Sequence, residues 1–433
     1  MDQLRLIGRR SFLKYSGGGA LAIASTLPQA GAQRQRAPSA LVLAYRISPT
    51  QWETDKQFAR LLALLSAHRR AVDEVALFDD DFPRACASLE RLEQDAGALK
   101  RRISELHGLG FRRVGINVCY TIGHGDMPGA FMTPLPVQPA VGHDGTVSNA
   151  CACPNSPEYR TYIKKRYALM AGVKPDFIWV DDDIRMSHHG PTYPCFCPIC
   201  LGKFGRGIDR VALVEQLNTP GNGDLRRAWT EFCAASLQGL CADIRQAVAE
   251  TDPTIELGLM TIGYSHSTYA GYPIRRLMTA LGARRGRPGH GYYTDELPRA
   301  LLNKSFDVGR QVRDYPSEVK TVEYELENYP YITLDKAVRT VLNECTAALI
   351  MGCNGIAFNA LKDCEGTLED YEPLLRGVAA ERPIWEALLE GAAGLPITAC
   401  SWPIVKSTPR GGSGSMECTI SSSPTRLRSS VCL

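Results

Sequence analysis

From Ala40 to Ala360 the chain alternates short β-branched or apolar runs with longer stretches of helical periodicity. That alternation restricts it to a parallel sheet covered by helices, because each strand must return to the same edge through a crossover helix. Eight strands fit: Ala40–Ile47, Glu74–Phe78, Arg113–Tyr120, Phe177–Val180, Ile255–Thr261, Gly289–Tyr293, Lys320–Leu326 and Gly355–Phe358. Helical patterns lie between them at Trp52–Arg69, Ala85–Leu106, Tyr159–Met170 and Leu225–Glu250, with a closing helix near Tyr371–Glu390. Eight units predict an α/β fold, a (β/α)8 TIM barrel over residues 38–398. An open nucleotide-binding sheet is disfavoured, since no glycine-rich phosphate loop follows the first strand.

The ends of the chain read differently. Arg9-Arg10-Ser11-Phe12-Leu13-Lys14, the apolar run Ala20–Leu27 and Ala30-Gly31-Ala32 stand in the order of a twin-arginine export signal. Residues 1–35 are therefore expected to be a signal peptide, and the mature protein to be periplasmic or secreted. From Ser407 the chain is rich in Ser, Gly, Arg and Pro without periodicity, so 399–433 reads as a disordered or truncated tail. A net charge of +3 gives no basis for nucleic-acid binding, and the body contains no membrane span. The oligomeric state stays open.

Fifteen cysteines are many for a barrel. Five of them cluster: Cys151-Ala152-Cys153-Pro154, and Cys195-Phe196-Cys197-Pro198-Ile199-Cys200 after the fourth strand. Four thiolates at such spacing can wrap one tetrahedral zinc ion, structural rather than catalytic because no ligand position stays open. The alternative is two disulfides, which an exported protein permits. A zinc site here would pin the loop after the fourth strand to the Gly-, Pro- and His-rich insertion at 121–155.

Catalytic groups of barrels sit at the C-terminal ends of strands. The fourth strand ends in Asp181-Asp182-Asp183, and a period of two puts Glu323, Glu325 and Glu327 of the seventh on one face. Glycoside hydrolysis needs one protonated and one ionised carboxyl, and clustered acids raise one another's pKa. Two other readings are a divalent ion held by the aspartates for hydrolysis, and a solvated loop cluster.

The segment Cys153-Pro154-Asn155-Ser156-Pro157-Glu158-Tyr159-Arg160, the acidic end of the fourth strand and the Cys195–Cys200 triplet together resemble glycoside hydrolase family 42, the zinc-containing β-galactosidases. The close resemblance covers about fifty residues. It implies Cys153, Cys195, Cys197 and Cys200 as zinc ligands, with Cys151 a bystander. It also implies an acid/base after the fourth strand and a nucleophile after the seventh. Asp182-Asp183 stands where the clan has Asn-Glu, so Asp183 is the expected acid/base and Asp182 the contact to the sugar 2-hydroxyl. Glu327, three residues before Pro330, is the expected nucleophile, with Glu325 second. The expected activity is a retaining glycosidase acting on an oligosaccharide or glycoside. A sugar-binding barrel without turnover is the other reading, motivated by the Asn-Glu to Asp-Asp change.

Further candidates for substrate contact are Arg46 (beside Tyr45), Asn117, Arg185, Tyr292, Tyr293 and Asn359. Asp79–Asp81, Asp295, His188 and His189 are weaker ones.

Overall fold

A computed structural model describes residues 40–80, 87–124, 136–186, 195–263, 272–328, 335–361 and 367–395. The expected leader, the whole expected tail (399–433), Asp81, His188 and His189 lie outside the described residues.

In chain order the strands are β1 (Val42–Ile47), β2 (Glu74–Phe78), β3 (Arg113–Val118), β4 (Pro139–Val141), β5 (Val147–Ala152), β6 (Phe177–Val180), β7 (Glu256–Thr261), β8 (Arg285–Pro288), β9 (Thr321–Glu327) and β10 (Gly355–Asn359). β4 and β5 form an antiparallel hairpin inside the expected insertion. The other eight are parallel and close into a barrel, with β10 pairing back onto β1. This is the (β/α)8 fold that the alternation predicts.

The outer ring comprises α1 (Asp55–Ala67), α2 (Leu89–Gly108), α3 (Pro157–Gly172), α4 (Pro198–Phe204), α5 (Arg210–Asn218), α6 (Gly223–Thr251), α7 (Ile274–Leu281), α8 (Arg299–Asp314), α9 (Val338–Ile350) and α10 (Glu372–Ala392). Local chemistry starts several of these helices. Thr54, Ser88 and Ser156 each accept a backbone N–H of the first turn of α1, α2 and α3, and Pro157 opens α3 where a missing N–H costs nothing. No helix among the described residues is long and apolar enough to cross a membrane.

Strand alternation sorts side chains onto two faces. Leu43, Tyr45, Val75, Leu77, Val114, Ile116, Ile178, Val180, Leu259, Tyr324, Ile356 and Phe358 point outward into the main apolar core beneath the helices. Inside the barrel the middle is filled by Ala76, Phe177, Trp179 and Met260, a separate small cluster. Glycines at 115 and 258 make room for the two aromatic rings: a Cβ there would meet Phe177 at 2.1 Å and Trp179 at 2.4 Å.

Below that cluster, at the N-terminal ends of the strands, Arg285 is hydrogen-bonded to both Glu74 and Glu323, all buried. This layer explains one correction. The sixth barrel strand is Arg285–Pro288, not Gly289–Tyr293. Its sequence, Arg-Gly-Arg-Pro, has no apolar residue to signal a strand, because both arginines face an acidic interior. Gly289–Tyr293 is the loop that follows.

Candidate active site

The C-terminal mouth of the barrel gathers the inward residues that end each strand. Arg46 of β1 is the first hub. Its Nε donates to Asn117 Oδ1 (2.9 Å), Nη2 to Asp181 Oδ2 (3.2 Å) and Nη1 to Glu327 Oε1 (3.1 Å). Asn117 Nδ2 donates to the same Asp181 oxygen (3.0 Å), and Asn359 Nδ2 to Glu327 Oε1 (2.7 Å). Arg287 of β8 is the second hub. It donates to Asp182 Oδ2 at 3.0 Å and to Glu325 Oε1, and lies 3.5 Å from Asp181 Oδ1.

Asp181, Asp182, Glu325 and Glu327 thus share two buried guanidiniums, with Arg185 at 3.8 Å and His124 at 3.9 Å from Asp182. Four carboxyls therefore face three guanidiniums. Burial pushes Glu325 up to about 7 against the pull of Arg287, with Glu327 adding to the rise. Burial opposes ionisation of Asp182 as well, yet Arg287, Arg185 and His124 hold it below the usual carboxylate range. The two carboxyls that Arg287 bridges are thus driven apart, Glu325 toward its protonated and Asp182 toward its ionised form.

Accessibility separates the acids. The side chains of Asp182 and Glu327 are 16% and 14% exposed, whereas Asp181 and Glu325 are nearly closed off. Asp183 is fully buried. Its Oδ2 accepts three consecutive backbone N–H groups, from Thr121 (2.5 Å), Ile122 (2.8 Å) and Gly123 (2.8 Å). Burial pushes Asp183 up to about 6, with Asp181 adding and the hydrogen bonds and His124 opposing. That value suits a proton donor, but a donor must first reach its acceptor, and this carboxyl is enclosed under the loop after β3.

The other sequence candidates divide. Asn117 is fully buried between Arg46 and Asp181, so it orients them rather than meeting a ligand. Tyr292 is buried, and its carbonyl accepts from Lys336 Nζ (2.7 Å). Tyr293 is 39% exposed, and the charges of Glu325, Glu327 and Asp182 raise its phenol pKa after burial does, which places it over the mouth. Arg185 sits beside Asp182, half-buried. Asp295 lies away from the mouth acids, accepting from Ala337 N and Thr340 Oγ1.

Sequence reading missed Arg287, the centre of the site. It also missed a buried support behind β9: Lys304 Nζ donates to the Glu325 carbonyl (2.8 Å) and Lys336 Nζ to the Glu327 carbonyl (2.8 Å). Glu344 lies between the two ammonium groups, 3.4 Å from Lys304 and 2.8 Å from Lys336. An Arg-x-Arg repeat at 285–287, matched to the Glu-x-Glu repeat at 323–325, was the available signal for Arg287.

Beside the mouth, the sulfurs of Cys153, Cys195, Cys197 and Cys200 all lie within 4.8 Å of one another. Cys153 is 3.5 Å from both Cys197 and Cys200. Sulfurs on a tetrahedral zinc at about 2.3 Å stand about 3.8 Å apart, whereas a disulfide needs about 2.05 Å. The donor set fits zinc. Val141 N and Asn155 N and Nδ2 donate to Cys195, Cys153 and Cys200, as expected of groups that stabilise thiolates. No two of the ten described cysteines are joined in a disulfide, and Cys151 Sγ points at the Gly123 carbonyl instead. A second grouping, Cys119, His124 and Asp181, has ligand atoms within 4.8 Å. There Asp181 is already bonded by Arg46 and Asn117, and burial pushes the Cys119 thiol up, so it fits hydrogen bonding better than a metal.

No protein-family profile matches the chain. No curated protein matches it either. Solved structures do match. The β-galactosidase of Rahnella sp. R3 is 16% identical, with a TM-score of 0.54 over 83% of this chain and 58% of that one. That of Marinomonas ef1 is 12% identical, with a TM-score of 0.57 over 81% and 60%. A catalytic variant of a GH42 β-galactosidase from G. stearothermophilus is 13% identical, with a TM-score of 0.55 over 84% and 59%. The likeness at these identities is one of fold. The chain spans 58–60% of the length of these three proteins.

Proposed function

We propose that this barrel is a glycoside hydrolase in which Glu327 attacks the anomeric carbon and the Asp182–Glu325 pair, bridged by Arg287, supplies the proton to the leaving oxygen. The observation that carries the reading is the pair of partly exposed carboxyls at the ends of β6 and β9, each held by a buried arginine. Asp183, the donor expected from the family resemblance, gives up this role to the Asp182–Glu325 pair because its carboxyl is fully buried under the loop after β3, with Oδ2 accepting three backbone N–H groups.

The roles follow from the partners. Glu327 accepts from Arg46 and Asn359, which favour its ionised form and aim one oxygen. Asp182 and Glu325 share Arg287: Asp182, held below the usual carboxylate range, meets the substrate as an anion, and Glu325, pushed up to about 7, carries the proton of the pair. A retaining course follows: a covalent glycosyl–Glu327 intermediate, then water activated by the deprotonated pair. The Cys153, Cys195, Cys197 and Cys200 set would hold a structural zinc that fixes the loop after β6 against the β4–β5 hairpin. β-Galactoside specificity, and export by the leader read at residues 1–35 into the periplasm or medium, belong to the same proposal. The arginines that neutralise Asp181 and Asp182 argue against a divalent ion held by these aspartates.

A panel of p-nitrophenyl glycosides, β-galactoside included, tests the reading. Wild type should turn over at least one of them, and Glu327→Gln and Asp182→Asn should each lose about 10³-fold or more in kcat with folding retained. Saturable sugar binding without turnover would make the chain a sugar-binding barrel instead.

A further inference from the structure

We propose that His290 and Asp307 form a hydrogen-bonding dyad at the mouth, in which Asp307 orients the imidazole so that Nε2 accepts from a hydroxyl of the bound substrate. The inference rests on the glycosidase reading and adds a residue that determines which substrate groups are accepted.

His290 stands two residues beyond the end of β8, on the loop that follows it. Its backbone N–H donates to Glu325 Oε2 (3.0 Å), so the residue is tied to the Arg287–Glu325 unit. The loop is held from the other side as well, since Gln311 Nε2 donates to the Gly289 carbonyl (2.8 Å). The ring Nδ1 lies 2.9 Å from Asp307 Oδ2 on α8. A carboxylate only accepts, so Nδ1 carries the hydrogen and the neutral ring keeps its lone pair on Nε2.

The β7 side is shaped to this pair. Gly263, just past β7, lies so close that a Cβ there would meet Asp307 Oδ2 at 1.8 Å and His290 Nδ1 at 3.0 Å. Any other residue would push the dyad apart. The His290 side chain is nonetheless 32% exposed, more than any of the four mouth carboxyls. An oriented imidazole with one nitrogen engaged and the other facing solvent at the rim of a polar mouth is built to meet a ligand.

Among the described residues the charged groups around it are Asp307 on α8, Glu325 on β9 and Arg287 on β8, and the end of β7 brings Gly263. The neutral ring therefore offers an acceptor suited to a sugar hydroxyl and unsuited to a carboxylate or phosphate at that position.

Two measurements test this. In the free protein, ring ¹⁵N NMR should show His290 protonated at Nδ1 and bare at Nε2 near neutral pH, and Asp307→Asn should shift the tautomer toward Nε2–H. Against a p-nitrophenyl glycoside that wild type cleaves, His290→Ala should lower kcat/KM at least tenfold, mostly through KM. His290→Gln should recover part of the loss. A His290→Ala enzyme within twofold of wild type, or an Nε2–H tautomer in wild type, overturns the dyad. Failure of wild type to cleave any glycoside counts against the glycosidase reading, and the tautomer then judges the dyad alone.

Discussion

Asp183 offers the sharpest test, because two roles for it predict opposite patterns across two substitutions. As a strut, its Oδ2 satisfies the buried N–H groups of Thr121, Ile122 and Gly123. Asp183→Ala removes the one acceptor that all three share. A buried unsatisfied N–H costs about 1–3 kcal/mol, so even the low end sums to about 3–5 kcal/mol, a large part of a typical domain's stability. Asp183→Asn keeps a carbonyl oxygen at the same place and should cost about 1 kcal/mol or less, since weaker neutral bonds are offset by relief from burying a charge.

The pH dependence gives an independent check. The folded pKa is about 6, above the unfolded value of about 3.9, so the folded state binds the proton more tightly. This group's favourable contribution is complete below the unfolded pKa and is lost as the pH rises through about 6. Over about two units that is about 3 kcal/mol, and Asp183→Asn should flatten that slope. Urea unfolding at pH 4.5 and 7, with turnover of the same samples, reads both quantities. Asp183→Ala as stable as wild type, or Asp183→Asn normally folded but as inactive as Glu327→Gln, would refute the strut and restore Asp183 as proton donor.

Other consequences can be checked directly. Metal analysis of the purified protein should find one zinc per chain. Cys200→Ser should lower that content and the thermal midpoint together, and an unchanged zinc content would remove the site. Lys336→Met leaves Glu344 short of one buried partner and the Glu327 carbonyl without its donor, so calorimetry should show a loss of about 3–5 kcal/mol. Gly289→Ala places a Cβ 2.4 Å from Arg287 Nη1 and 2.5 Å from Glu325 Oε2. It should destabilise by about 1–3 kcal/mol in urea unfolding and shift the pH profile of kcat, since it pries apart the unit that holds the proton.

Much of this architecture was legible in the chain because it follows from local periodicity. Runs such as Val114–Val118 and Phe177–Val180 are strands wherever they are placed, since their outward residues need an apolar layer of helices. The cysteine spacing was equally local: Cys195, Cys197 and Cys200 converge because a short turn into α4 carries all three. The alternation of Glu323, Glu325 and Glu327 foretold an acidic interior face, and the three do line it.

Tertiary structure decided what those acids do. Whether a carboxyl is a strut, an ion-pair partner or a group open to substrate depends on neighbours far away in sequence. Asp183 meets a loop some sixty residues earlier, and Glu327 meets Arg46 across 281 positions. The sixth strand shows the same limit, because Arg285–Pro288 is a strand only when Glu74, Glu323 and Glu325 surround its arginines. Periodicity reports which face a side chain takes. Desolvation and pairing, which set its charge and its reach, exist only once the barrel has closed.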